Sequence, residues 1–112
     1  MLVVDAAGVT YAPGVPVEGP IDIVGAGDSA VAGLASALCA GATPVEAALV
    51  GNLAASVTVR QLGTTGTASR AQMLQAFEAW ARVGVESHPA RLFSPRRREV
   101  IEHGATHPGT VQ

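Results

Sequence analysis

The segment whose residues are most able to carry out chemistry runs from Asp22 to Ser29. It reads Asp-Ile-Val-Gly-Ala-Gly-Asp-Ser and lies directly before an apolar stretch. This pattern predicts the start of a helix, where the first backbone N–H groups lack partners and the helix dipole is positive. Gly25 and Gly27 would keep side chains away from these groups. The N–H groups from about Ala26 onward can then bind phosphate oxygens.

Asp28 needs a separate explanation, because a carboxylate beside a bound phosphate is repelled by it. Such a carboxylate can accept the proton of an attacking hydroxyl while neighbouring N–H groups stabilise the phosphoryl oxygens. The segment therefore points to phosphoryl transfer with Asp28 as the base. An ordinary strand-to-helix turn, with Asp28 or Ser29 as the N-cap, also fits the spacing. The segment is neither a P-loop nor a GxGxxG fingerprint, since no Lys follows and the third glycine is Gly33.

Residues 22–33, Asp-Ile-Val-Gly-Ala-Gly-Asp-Ser-Ala-Val-Ala-Gly, resemble the C-terminal motif of the ribokinase-like (PfkB-type) carbohydrate kinases. Ile23 stands where that family usually carries Thr or Val. In its choice of residues, the chain is most similar to the heptose-phosphate kinase-like branch of this family. The resemblance covers about residues 2–80 and includes the segments 40–48, 51–55 and 61–68.

The resemblance implies that Asp28 is the catalytic base and that an anion hole is formed by Gly25, Ala26 and Gly27. It further implies that ATP is the phosphoryl donor, with Mg²⁺, and that a sugar or sugar phosphate is the acceptor. Ser29 would do no more than cap the helix.

On the adenine side, the resemblance places Asn52 beside the base and closes the loop from Gly63 to Gly66 over it. Asp22 is the implied ligand of a monovalent cation such as K⁺, which some family members hold. Two simpler interpretations stay open. Asn52 could hydrogen-bond within its helix or to a neighbouring loop, and Asp22 could be a turn residue after Pro20.

Several elements must position these residues. Leu2 to Asp5 and Val9 to Tyr11 predict a β-hairpin around Gly8, and a third extended piece is expected over residues 15–17. Three helices are predicted, from about Gly27 to the C′ glycine Gly41, from Pro44 to Gln61 after a capping box, and from Ser69 to about Val83. The helical spacing of one apolar stripe predicts a core face, formed by Met73, Leu74, Phe77 and Trp80.

Composition limits the function classes. The chain has 112 residues, 48% of them hydrophobic and 14% charged, which predicts a compact folded core. A net charge of −2 indicates no basic surface for binding nucleic acid. The three arginines at residues 96–98 fit a solvated tail better than a binding patch. Cys39 is expected to be buried, and the three histidines show no metal-site spacing. Without a leader-like or membrane-spanning pattern, a cytoplasmic location is expected.

The predicted fold class is α/β, the C-terminal part of a ribokinase-like fold over residues 1–83, followed by a polar tail over 84–112. Nothing in the sequence supplies an acceptor-sugar site. We therefore expect apolar surface that is covered by self-association, by a partner chain or by the N-terminal part of a kinase. Two other classes stay open, a non-catalytic nucleotide- or anion-binding module and a structural fragment that docks on a partner.

Overall fold

The computed structural model describes residues 1–87. It has a two-stranded antiparallel sheet, β1 (Leu2–Asp5) and β2 (Gly8–Tyr11), followed by three helices, α1 (Ala26–Cys39), α2 (Pro44–Thr58) and α3 (Arg70–Ser87). The predicted α/β class, a hairpin followed by three helices, is confirmed. The arginine run, the three histidines and most of the expected tail lie outside the described residues.

The hairpin forms as the turn residues predict. The Asp5 carboxylate accepts from the N–H of Ala7 over 2.8 Å, and Gly8 takes a φ of 129° that favours glycine. Met1 and Ala12 extend the pairing through two reciprocal bonds of 2.7 and 2.8 Å. The third extended piece forms no strand, since residues 15–17 pair with neither strand of this sheet.

Helices α1 and α2 cross at very short range, and glycine makes this possible. A Cβ on Gly51 would lie 2.6 Å from the carbonyl oxygen of Ala30, and one on Gly33 would lie 3.0 Å from the Cβ of Ala54. Small residues at this crossing therefore let the two helices approach closely. The two helices form the most extensive contact between elements of the described chain.

The helix ends are partly as predicted. Gly41 follows α1 with a φ of 92°, and Thr43 and Glu46 form the predicted capping box of α2. Helix α2, however, ends at Thr58 rather than Gln61, and α3 continues past Val83 to Ser87. None of the helices in the described residues is long and apolar enough to cross a membrane.

The core is smaller than composition suggests, so the expectation of a compact core is wrong for the described residues. The buried apolar residues are Ala12, Ala47, Ala48, Leu53, Ala54 and Val59, and no large side chain among the described residues is fully buried. Cys39 is exposed, contrary to prediction. The reason is that α2 is the only central element, while the outer faces of α1 and of the hairpin have no covering layer in the described chain.

The stripe on α3 is also less buried than predicted. Met73 and Trp80 are half-buried, but Leu74 and Phe77 are 51% and 44% exposed. The rings of Phe77 and Trp80 contact edge to face, with centroids 6.3 Å apart. Helix α3 therefore packs on α2 through part of its apolar face and leaves the remainder open.

Candidate active site

The turn before α1 is built on Gly25, which is the N-cap residue and takes a left-handed φ of 81°. No side chain caps this helix. The alternative in which Asp28 or Ser29 is the N-cap is therefore wrong. Asp28 instead lies inside the first helical turn, where its side chain is exposed.

Two of the predicted anion-binding N–H groups already have partners. The N–H of Ala26 donates to the carbonyl of Ile23 over 3.1 Å, and that of Ser29 donates to the carbonyl of Gly25 over 3.0 Å. Among the described residues, the N–H groups of Gly27 and Asp28 have no such partner. Open space surrounds Gly27, since a Cβ there would meet nothing within 4 Å. Two unpaired donors and one exposed carboxylate thus share a single open turn.

Asp22 connects this turn to distant parts of the chain. Its carboxylate accepts from the N–H of Val24 over 3.0 Å and from the N–H of Gly63 over 3.2 Å. Its own N–H donates to the carbonyl of Val59, at the end of α2, over 2.7 Å. Asp22 is therefore a turn residue, as one interpretation held, and it also contacts the predicted adenine-side loop.

That loop is held closed by Gln61. The Gln61 amide donates to the carbonyl of Thr67 over 2.6 Å and accepts from the N–H of Thr67 over 3.0 Å. Gly63 has a left-handed φ of 71°. Gly66 is packed tightly, since a Cβ there would lie 3.0 Å from both the Cβ and the carbonyl oxygen of Thr58. Both glycines are thus explained by local backbone geometry and packing.

Asn52 makes its side-chain bonds with the hairpin exit. Its Nδ2 donates to the carbonyls of Ala12 and Pro13 over 3.3 and 2.8 Å. This is the interpretation in which Asn52 bonds to a neighbouring segment. The contact anchors the hairpin on α2, and an additional role beside adenine stays a prediction.

The structure brings the turn before α1 (residues 22–28, the predicted phosphate turn) and the Gly63–Gly66 loop together, because a Cβ on Gly25 would lie 3.7 Å from the Cγ2 of Thr65. Sequence reasoning placed Gln61 and Thr65 in the adenine-side segment but gave neither side chain a role of its own. A Gln just before a Gly-rich loop is the only local signal. The described residues contain no group of three or more His, Cys, Asp or Glu that could hold a metal ion.

A helix start with unpaired N–H groups and an exposed carboxylate, beside a second glycine-rich loop in an α/β protein, is an arrangement chemically able to hold a phosphate group. Comparison with known families gives the particular family. Residues 1–71 match the model described as pfkB family carbohydrate kinase. The chain belongs to this family, which confirms the resemblance found in its motif.

Individual relatives match over a shorter region. The chain is 42% identical over 55 residues to the bifunctional protein HldE of Shewanella piezotolerans, a match that covers 49% of this chain and 11% of the relative. It is 43% identical over 58 residues to the protein of the same name from Shewanella amazonensis, covering 52% and 12%. The chain thus matches only a small part of the length of these relatives. No solved structure matches it significantly.

Proposed function

We propose that this chain supplies the catalytic base, the anion hole and part of the adenine site for ATP-dependent phosphorylation of a sugar or sugar-phosphate hydroxyl. The observation that carries the proposal is the open first turn of α1, where the unpaired N–H groups of Gly27 and Asp28 lie beside the exposed Asp28 carboxylate. Family membership supports kinase chemistry at this turn.

In the proposed reaction, the Asp28 carboxylate accepts the proton of the acceptor hydroxyl. The hydroxyl oxygen forms a bond to the γ-phosphorus, the bond from that phosphorus to the bridging oxygen breaks, and ADP leaves. Gly25, Ala26 and Gly27 line the turn, and its N–H groups stabilise the charge on the phosphoryl oxygens. Glycine at position 25 permits this turn because of its positive φ.

The loop from Gly63 to Gly66 and the side chain of Asn52 form the proposed adenine side. The contact of Thr65 with Gly25 supports a single continuous site from base to phosphate. Asn52 still has its amide oxygen available as an acceptor, since only its Nδ2 bonds to the hairpin exit. We propose that the chain belongs to the heptose-phosphate kinase-like branch of the family, because the residues of its motif are most similar to that branch.

Cofactor ions fit this arrangement in different ways. Mg²⁺ fits as an ion carried by the nucleotide phosphates, whose charge it would neutralise, since it binds proteins through one or two carboxylates plus phosphates and water; Asp28, as the base, is not assigned to it. Asp22 is the proposed ligand of K⁺. A carboxylate offers about four acceptor positions, and Asp22 uses two of them for N–H groups.

One face of the hairpin is apolar. This favours a chain that works as part of a larger kinase, rather than as a free-standing module. Two cross-strand pairs, Leu2 with Tyr11 and Val4 with Val9, lie on this face. Leu2 and Val4 are 66% and 73% exposed. We propose that the acceptor-sugar site lies in the part of the kinase that covers this face.

The proposal is tested by phosphoryl transfer from ATP to a panel of sugars and sugar phosphates, with these residues in a complete kinase domain. Replacing Asp28 by Asn should lower kcat by about 100-fold or more, because the base is lost, with little change in the KM for ATP. Asp5→Asn, on the hairpin turn, is the matched control. Unchanged turnover in Asp28→Asn would instead support a non-catalytic anion-binding module.

A further inference from the structure

The carboxylate of Asp22 joins two segments that lie 41 residues apart in sequence. One oxygen accepts from Val24, two residues along its own turn, and the other accepts from Gly63 in the distant loop. The side chain is half-buried. Hydrogen bonds to a charged acceptor are the stronger kind in proteins, and the bond from Gly63 is the one that constrains the loop.

The loop itself needs such a constraint to be positioned. The Gln61 amide closes it through two bonds with Thr67 and so fixes its shape. Those bonds lie within the loop and do not set its distance from α1. The bond from Gly63 to Asp22 does, and the 3.7 Å approach of Thr65 to Gly25 lies beside it.

We propose that Asp22 is a positioning residue that holds the Gly63–Gly66 loop in register with the phosphate turn, so that one nucleotide can contact both. This inference rests on the proposed function for its ligand, but the tether is independent of it. A ligand that spans both segments, such as ATP, depends on their separation. A ligand that contacts only the start of α1, such as tripolyphosphate, does not.

Asp22→Ala tests the tether, because alanine has no acceptor oxygen and both bonds are lost, whereas asparagine could keep the bond from Gly63 through its amide oxygen. Asp5→Ala is the matched control, because Asp5 also accepts a bond from two residues ahead but makes no distant one. Amide hydrogen exchange at Gly63, measured by NMR on the 112-residue chain without ligand, should accelerate in Asp22→Ala and stay unchanged in Asp5→Ala.

Calorimetric titration of the same three proteins then tests positioning. Asp22→Ala should weaken ATP binding by about tenfold and leave tripolyphosphate binding within about twofold of wild type. A general loss of structure would weaken both ligands equally and would overturn the inference. The titrations are run with potassium and with tetramethylammonium as the cation, and a loss seen only in potassium would assign the effect to the proposed cation site and overturn the positioning role.

The failures of the two proposals are distinguishable. Unchanged exchange at Gly63 in Asp22→Ala overturns the tether, whatever the nucleotide results. Accelerated exchange with unchanged ATP affinity overturns the positioning role and leaves the proposed function intact. If the wild-type chain binds tripolyphosphate but not ATP, the nucleotide part of both proposals fails, and the exchange data alone decide the tether.

Discussion

Gly51 lies so close to Ala30 that a Cβ at position 51 would approach the Ala30 carbonyl oxygen to 2.6 Å. This distance is far inside van der Waals contact, and the obstacle is helix backbone that cannot rotate away. The contact sets the separation of α1 from α2 and therefore the position of the phosphate turn at the start of α1. Gly51 thus has a structural role that affects the site from a distance.

Gly51→Ala should destabilise the chain by about 1–3 kcal/mol, because the two helices must move apart, although alanine favours helix more than glycine does. The free energy of unfolding from urea titration measures this. Gly14→Ala is the matched control, since a Cβ at Gly14 would meet nothing within 4 Å. A Gly51→Ala chain as stable as wild type would show that the helices do not pack as closely as described.

The capping box of α2 should make stability depend on pH. The N–H of Thr43 donates to the Glu46 carboxylate over 2.8 Å, and this bond, with the one from the Thr43 side chain, lowers the pKa of Glu46 below its ordinary value of 4.5. The ionised form is therefore favoured in the folded state. The stabilisation by the ionised Glu46 carboxylate is complete above pH 4.5. It is lost as the pH falls through the lower pKa that this group has in the folded state.

Glu46→Gln checks this prediction, because glutamine keeps the capping bond but does not titrate. The melting temperature of the wild-type chain should fall more steeply between about pH 5 and pH 3 than that of Glu46→Gln. Glu78→Gln, on the exposed side of α3, should follow the wild-type curve. Parallel curves for wild type and Glu46→Gln would show that the cap does not form in solution.

Adding a charge should have a different effect on each face of β1. Val4 is 73% exposed, so Val4→Lys should reduce binding of a hydrophobic dye with little loss of stability. Val3 is half-buried on the other face, and β1 contacts α2, so Val3→Lys should lower the free energy of unfolding. Dye fluorescence and urea unfolding measure the two effects. Equal destabilisation by both variants would mean that the outer face of the hairpin is covered in solution.

The sequence predicted the elements whose signals are local. The hairpin turn at Gly8, the capping box of Thr43 and Glu46 and the helix stop at Gly41 each depend on residues within a few positions of one another. The motif around Asp28 predicted an open helix start for the same reason. The start of α1 differs slightly from the prediction, since this helix begins at Ala26, one residue earlier than expected.

Long-range contacts account for the errors. Helix α2 ends at Thr58 without a Gly or Pro signal, and the carbonyl of Val59 is instead taken by the N–H of Asp22. Cys39, Leu74 and Phe77 were expected to be buried because of their residue type or spacing, but burial depends on which element covers them. The contacts of Asp22 with Gly63 and of Asn52 with Pro13 join segments about 40 residues apart, which no local pattern encodes.

The most direct test of the central claim is calorimetric titration of ATP with Mg²⁺ into the 112-residue chain and its Asp28→Asn variant. The account predicts that both bind, and that Asp28→Asn binds at least as tightly, because removing the carboxylate removes its repulsion of the phosphates. Binding to the wild-type chain that is lost in Asp28→Asn would contradict a nucleotide site at the start of α1 with Asp28 as its base.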